Sequence, residues 1–510
     1  MEPLSEIAAG YAFSGPALEL GAVLWDGACH PEVPVRVPLS VLNRHGLVAG
    51  ATGTGKTKTL QLMAEQLSAH GVPVFLADMK GDLSGVSAPG AEGADGEKAR
   101  QRAAEVGQEW APAACPAEFY ALGGLGAGIP LRATVTDFGP VLLAKVLGLN
   151  RTQEQSLGLI FHYADAKGLE LVDLKDLRAV VAFLTSDEGR PELRDIGGLS
   201  TQTAGVILRS LTAFEQEGAG AFFGEPEFDS AGLLRTAADG RGMVSVLELP
   251  AVQDRPRLFS TFLMWLLADL FHGLPEVGDL DKPKLVFFFD EAHLLFDGAS
   301  KEFLESVTQT VRLIRSKGVG VFFVTQSPKD VPGDVLGQLG NRVQHALRAF
   351  TPDDAKALKA TVRTFPVSPY DLEEVLTGLG TGEAVVTVLG EQGAPTPVAA
   401  TRLRAPCSLM GPVDATALAG AVRMSPLYER YAQPVDRESA YEKLTAAQPQ
   451  PQAPAPAPER PAEGPAQRAE PSVLEQVVGS GMFKSLARSI GTQLGREITR
   501  SVFGTTRRRR

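Results

Sequence analysis

The sequence predicts an α/β fold organised around a mainly parallel sheet, and three observations carry that expectation. Between His45 and Asp78 a short apolar run, a Gly-rich turn, a helix-length stretch and a second apolar run follow one another, the pattern of a βαβ unit. Further on, residues 285–289 and 319–325 are continuous apolar runs, as strands buried on both faces require. From 137 to 240 the apolar positions recur at helical spacing instead, as in Leu174, Leu177, Val180, Val181 and Leu184.

Taken in order, residues 1–40 hold strand-like runs at 17–25 and 33–37, broken by Gly and Pro, and predict a short N-terminal β extension. Residues 41–136 carry the first part of the core, with a strand at 45–49, a helix from Lys56 to about residue 70 and a strand ending at Asp78. Residues 137–240 predict a mostly helical insertion. The sheet pattern returns in 241–430, with strands at 243–249, 284–290, 319–325 and 343–347 and a closing pair at 383–389 and 397–403. Helices are expected between them, notably at 257–271 and 301–316.

Residues 431–471 predict a disordered Pro/Ala-rich linker, because a stretch of this composition buries too little apolar surface to fold. Residues 472–510 predict a basic amphipathic helix. Leu486, Ile490, Leu494, Ile498 and Val502 recur every fourth residue, flanked by Lys484, Arg488, Arg496 and Arg500. Such a helix can contact DNA phosphates, an anionic membrane or a partner subunit. A docking helix with a solvated basic face is the plainer reading.

Composition narrows the function. The chain of 510 residues has a formal net charge of -11, so it does not coat nucleic acid over its whole surface. Its three cysteines, Cys29, Cys115 and Cys407, are widely spaced and form no Cys-x-x-Cys pair. That spacing argues against a disulfide framework or a zinc site and for reduced thiols in the cytoplasm. The first residues carry Glu2 and Glu6 without a basic region, unlike a secretory signal. The longest apolar stretch, 259–270, is too short for a bilayer and includes Asp269.

The strongest motif is Gly50-Ala51-Thr52-Gly53-Thr54-Gly55-Lys56-Thr57, which matches G-x-x-x-x-G-K-[ST] at every position. Glycines let the backbone wrap a phosphate, and loop amides with the helix N-terminus present positive dipoles to it. Lys56 is expected to reach the β- and γ-phosphates of ATP, and Thr57 to ligate Mg²⁺. Thr59, just inside the helix, is grouped with the binding residues.

The second motif is the apolar run 285–289 followed by Asp290 and Glu291. Ligands of α/β sheets bind beyond strand C-termini, so these acids are placed for chemistry. Asp290 is expected in the magnesium shell, and Glu291 as the general base acting on water. Gln326, past another buried strand, is a candidate γ-phosphate sensor. Arg312, Arg315 and Arg342 are candidates for an arginine finger, with Arg342 favoured because it opens a strand-like segment. Asp78 lies at a strand end, where it either approaches the nucleotide or simply caps a turn.

Together these segments resemble the HerA–FtsK superfamily of motor ATPases, and within it the bacterial HerA-like group typified by YjgR. The likeness is carried by residues 43–47 running into the loop, 78–85, 222–226, 289–296, 313–328 and 337–350, and covers about residues 15–430. It implies a RecA-like P-loop NTPase core in which the Gln326 strand lies between the P-loop strand and the Asp290 strand. It further implies a ring, usually a hexamer, with ATP at subunit interfaces and arginines entering from the neighbour. Archaeal members translocate double-stranded DNA and work with a nuclease. Only about forty residues precede the P-loop region here, fewer than the archaeal N-terminal barrel takes, so a nuclease partner is not among the expectations.

The expectation is therefore an ATP hydrolase, needing Mg²⁺, that acts as a homo-oligomeric DNA translocase or helicase. The rival is an ATP-controlled oligomeric scaffold or switch acting on a protein or membrane partner.

Overall fold

The computed structural model describes residues 3–278, 280–297 and 301–447. The described residues form one twelve-stranded sheet. Its strands are β1 (Ala17–Trp25), β2 (Ala28–Pro38), β3 (Gly46–Ala49), β4 (Val74–Asp78), β5 (Ala117–Leu122) and β6 (Ile129–Leu131). They continue as β7 (Val244–Glu248), β8 (Leu285–Phe289), β9 (Val319–Thr325), β10 (Asn341–His345), β11 (Glu383–Thr387) and β12 (Ala399–Leu403). The spatial order is β2-β1-β12-β11-β10-β3-β9-β8-β4-β7-β5-β6.

From β10 to β6 every pairing is parallel. The residues of β3, β4, β7, β8 and β9 are buried throughout. Water is excluded from both faces there, which explains why these strands read as unbroken apolar runs. Aromatic rings lock neighbouring strands: Phe288 meets Phe322 at 5.2 Å and Phe289 meets Phe323 at 5.6 Å between centroids. β9 lies between β3 and β8, as the family resemblance implies.

The N-terminal extension is a hairpin. β1 pairs with β2 and with β12, so it continues the sheet through antiparallel strands rather than forming a separate barrel. The strand pair β5–β6 was not expected from the sequence. It joins the far edge of the sheet through β7.

Helices at Arg151–Ala166, Leu174–Thr185 and Thr201–Gln216 make the insertion helical, as expected. Asn150 and Asp173 each close a capping box at the start of the first two. Ahead of β8, the helix Pro256–Gly273 buries Phe262, Trp265 and Leu266. None of the described helices is long and apolar enough to cross a membrane.

The linker boundary needs correction. Residues 431–447 are ordered and lie on the helical insertion. Tyr431 is buried, and a helix spans Ala440–Ala447. Ser439 Oγ and the Tyr441 amide donate to Asp176, while Arg437 pairs with Glu170 and Glu225. Here buried hydrogen bonds and charge pairs supply order that low apolar content alone would deny. The remaining linker residues, 448–471, and the basic helix expected at 472–510 lie outside the described residues.

Candidate functional site

Three parallel strands deliver the site to one edge of the sheet. β3 runs into the loop 50–57, β8 into Asp290 and Glu291, and β9 into Gln326. The loop is tied to its neighbours at its entry. Gly50 N donates to the Thr325 carbonyl at 3.2 Å, and Ala51 N to the Ala346 carbonyl at 2.8 Å. Gly50 has φ 155°, and a Cβ there would stand 2.4 Å from that of His345. Gly53, at φ 79°, takes a left-handed conformation that side chains resist.

Helix Lys56–Ala69 begins inside the loop. Lys56 is buried, and its ammonium donates to the carbonyls of Gly50 at 2.7 Å and Ala51 at 3.1 Å. Burial lowers its pKa, while Glu291 and Asp290 act in the opposite sense. The loop is supported from a side the sequence does not reveal. Gly382 N donates to the Thr54 carbonyl at 3.0 Å, and Arg102 Nη2 donates to the Thr381 carbonyl at 3.0 Å. The backbone just ahead of β11 thus braces the loop, and no sequence motif marks it.

Thr59 departs from its expected place. It is buried, and its hydroxyl lies 2.9 Å from His345 Nε2 and 3.2 Å from the Gly55 carbonyl. It holds the base of the loop rather than facing a phosphate. Burial, with Lys56 nearby, depresses the pKa of His345 to about 4. His45, just before β3, is likewise buried and depressed to about 4. Its Nε2 lies 2.7 Å from the Val311 carbonyl, while its Nδ1 accepts from Val321 N at 3.0 Å, an arrangement that suits the neutral ring.

These two histidines make the fold acid-sensitive. Between about pH 6.5 and 4 the unfolded chain binds protons that the folded chain refuses, so stability falls as pH falls through that window. Each should cost about 2 kcal/mol at pH 5 relative to pH 8. Thermal unfolding at the two pH values should show the loss, and His345→Gln should remove about half of the slope. A pH-independent midpoint would sink this account.

Asp290 and Glu291 sit differently although they are adjacent. Asp290 is 5% exposed, and its Oδ2 has no hydrogen-bond partner among the described residues. Burial, and secondly the Glu291 charge, pushes its carboxyl up to about 7. Glu291 adopts a left-handed backbone, φ 47°, uncommon for a residue with a side chain. Burial alone would raise its pKa, but the touching Lys80 ammonium, with His293 and Lys56, holds it below the usual value. The base candidate is therefore ionised, and Lys80 is its partner. In the sequence Lys80 reads only as part of a turn.

Asp78 resolves as a turn organiser. Its carboxylate accepts from the amides of Lys80, Gly81 and Leu83 at 3.1, 2.7 and 2.8 Å. That fixes the loop which carries Lys80 to Glu291. Gln326 is exposed at the end of β9 and lines a cleft of about 740 Å³ with Ala51, Thr52, His293, Lys329 and Arg348. The cleft meets the loop at Ala51 and Thr52, not at 53–57.

Arg342 is not brought to this edge. It lies near the start of β10, paired in register with Leu47, and its guanidinium donates to Thr364 Oγ1 at 2.7 Å. Its partners are neutral oxygens, and no carboxylate among the described residues pairs with the guanidinium. Arg315 lies near His45, at the opposite end of β3 from the loop.

A family model described as "Helicase HerA-like C-terminal" matches residues 26–510. No curated protein matches the sequence. Among solved structures, the unbound bacterial conjugative coupling protein TrwB superposes with a TM-score of 0.51 at 15% identity, covering 78% of this chain and 91% of that one. TrwB with the GTP analogue GDPNP gives 0.50 at 16% identity, covering 76% and 95%. TrwB with ADP and Mg²⁺ gives 0.50 at 15%, covering 78% and 97%. At such identities the likeness is one of fold.

Proposed function

The chain belongs to the HerA-like C-terminal helicase family, and from that premise we propose that it is an ATP-hydrolysing motor acting on double-stranded DNA. One observation carries the reading: the P-loop, the Asp290–Glu291 pair and Gln326 converge on a single edge from three adjacent strands. Catalytic water, phosphate and transmitted signal would then share one place.

Each residue has a role in this proposal. Loop amides 50–57 cradle the ATP phosphates, and Lys56 neutralises the β- and γ-groups. Glu291, ionised beside Lys80, accepts the proton of the attacking water. Gln326 senses the γ-phosphate and adjoins the cleft through which a signal would pass. Thr57 and Asp290 fit a Mg²⁺ ion: both offer oxygen, and the buried Asp290 Oδ2 lacks any other partner. When bound, the ion supplies neutralisation of phosphate charge. That TrwB has been solved with ADP and Mg²⁺ is in keeping with this assignment.

We further infer a homo-oligomeric ring, most simply a hexamer, in the cytoplasm. Cys29, Cys115 and Cys407 are free thiols, which suits a reducing compartment. Arg342 is kept as the arginine a neighbouring subunit would present, since it lies away from its own chain's nucleotide edge and its guanidinium has only neutral partners.

Adding duplex DNA to the full chain should raise the ATPase rate, and more strongly at low salt than at high. ATP should also increase the solution mass. No stimulation at any salt, with ATP binding intact, would favour the switch reading instead.

A further inference from the structure

We propose that Asp78, Asp82 and Asp290, with Glu248 beside them, form a divalent-cation site that fills without nucleotide. The proposal deepens the reading of Asp290 given above and rests on it. Ligand oxygens of Asp78, Asp82 and Asp290 all lie within 4.8 Å of one another. Glu248 ends β7 directly opposite Asp78 in the parallel register, close enough to feel the charges of Asp78 and Asp82.

The cluster alone would be an ordinary acidic corner. What marks it is unspent buried oxygen. Glu248 is 6% exposed and its Oε1 has no partner; Asp290 is 5% exposed and its Oδ2 has none. Asp82 Oδ1 is also unpartnered. Leaving buried carboxylate oxygens unbonded is costly, so a fold that gathers several of them invites a cation.

An all-oxygen donor set without His or Cys selects a hard ion such as Mg²⁺, Mn²⁺ or Ca²⁺.

The place differs from the phosphate side. β4 and β7, which carry Asp78 and Glu248, lie on the side of β8 away from β3. A cation there would fix Asp290 and the 78–83 loop together, and so position Lys80 on Glu291. Its role is structural preparation of the site: Asp290 would hold it before nucleotide arrives and share its carboxylate with the ion beside Thr57 afterwards.

Mn²⁺ titration of the full chain without nucleotide, followed by electron paramagnetic resonance, tests the proposal. About one ion per chain should bind and be displaced by Mg²⁺. Asp82→Asn and Glu248→Gln should each weaken it at least about tenfold, and Thr57→Ala should leave it unchanged. No Mn²⁺ binding to the wild-type chain would overturn the proposal, showing that the lysines neutralise the corner. So would a site that survives both carboxylate variants with unchanged circular dichroism, or one lost in Thr57→Ala. The half-buried Asp82 allows the assignment even if Glu248→Gln does not fold. None of these outcomes bears on the P-loop reading, which nucleotide binding by wild type and Lys56→Ala decides separately.

Discussion

Glu291→Gln should retain ATP while steady-state hydrolysis falls by roughly 10²–10⁴-fold, the usual contribution of a positioned general base. The side chains are nearly isosteric, so packing at the end of β8 should survive. What disappears is the negative charge that Lys80 and Lys56 hold in place. An amide cannot accept the proton of the attacking water. Nucleotide affinity should stay the same or rise, because a carboxylate facing the triphosphate is removed. Binding by fluorescence titration and turnover by phosphate release separate the two effects. Turnover within about tenfold of wild type would move the base elsewhere.

Lys56→Ala should weaken ATP binding by roughly 30- to 1,000-fold, about 2–4 kcal/mol, and leave no measurable turnover. The ammonium is buried at the mouth of the loop, already desolvated and held on the Gly50 and Ala51 carbonyls. Its desolvation cost is thus met in folding, and its charge is ready for a phosphate. Removing it also leaves Asp290 and Glu291 with less opposing charge. Lys56→Arg should not rescue turnover, since the planar guanidinium does not fit a loop built around a compact ammonium. Unchanged affinity in Lys56→Ala would remove the loop from the nucleotide site.

Much of this architecture is written locally in the sequence. The P-loop, the buried strands β8 and β9 and the helical insertion each depend on short-range patterns: glycines at fixed offsets, unbroken apolar runs, or apolar residues at helical spacing. Such patterns persist whatever the chain does elsewhere. That is why loop 50–57, Asp290, Glu291 and Gln326 stand out in the linear chain.

Other features exist only once distant segments meet. β5 and β6 are short, and their place in the sheet depends on β7, more than a hundred residues further on. The ordering of 431–447 depends on Asp176, Glu170 and Glu225 in the insertion, so composition misjudges it. Thr59 reads as a binding residue until His345 claims its hydroxyl. The pairing of Lys80 with Glu291 joins residues more than two hundred positions apart. The sequence by itself determined which residue types stand at the strand ends. Tertiary structure decided which of them touch, because electrostatic and hydrogen-bond partnership is set by distance and burial, neither of which a linear pattern contains.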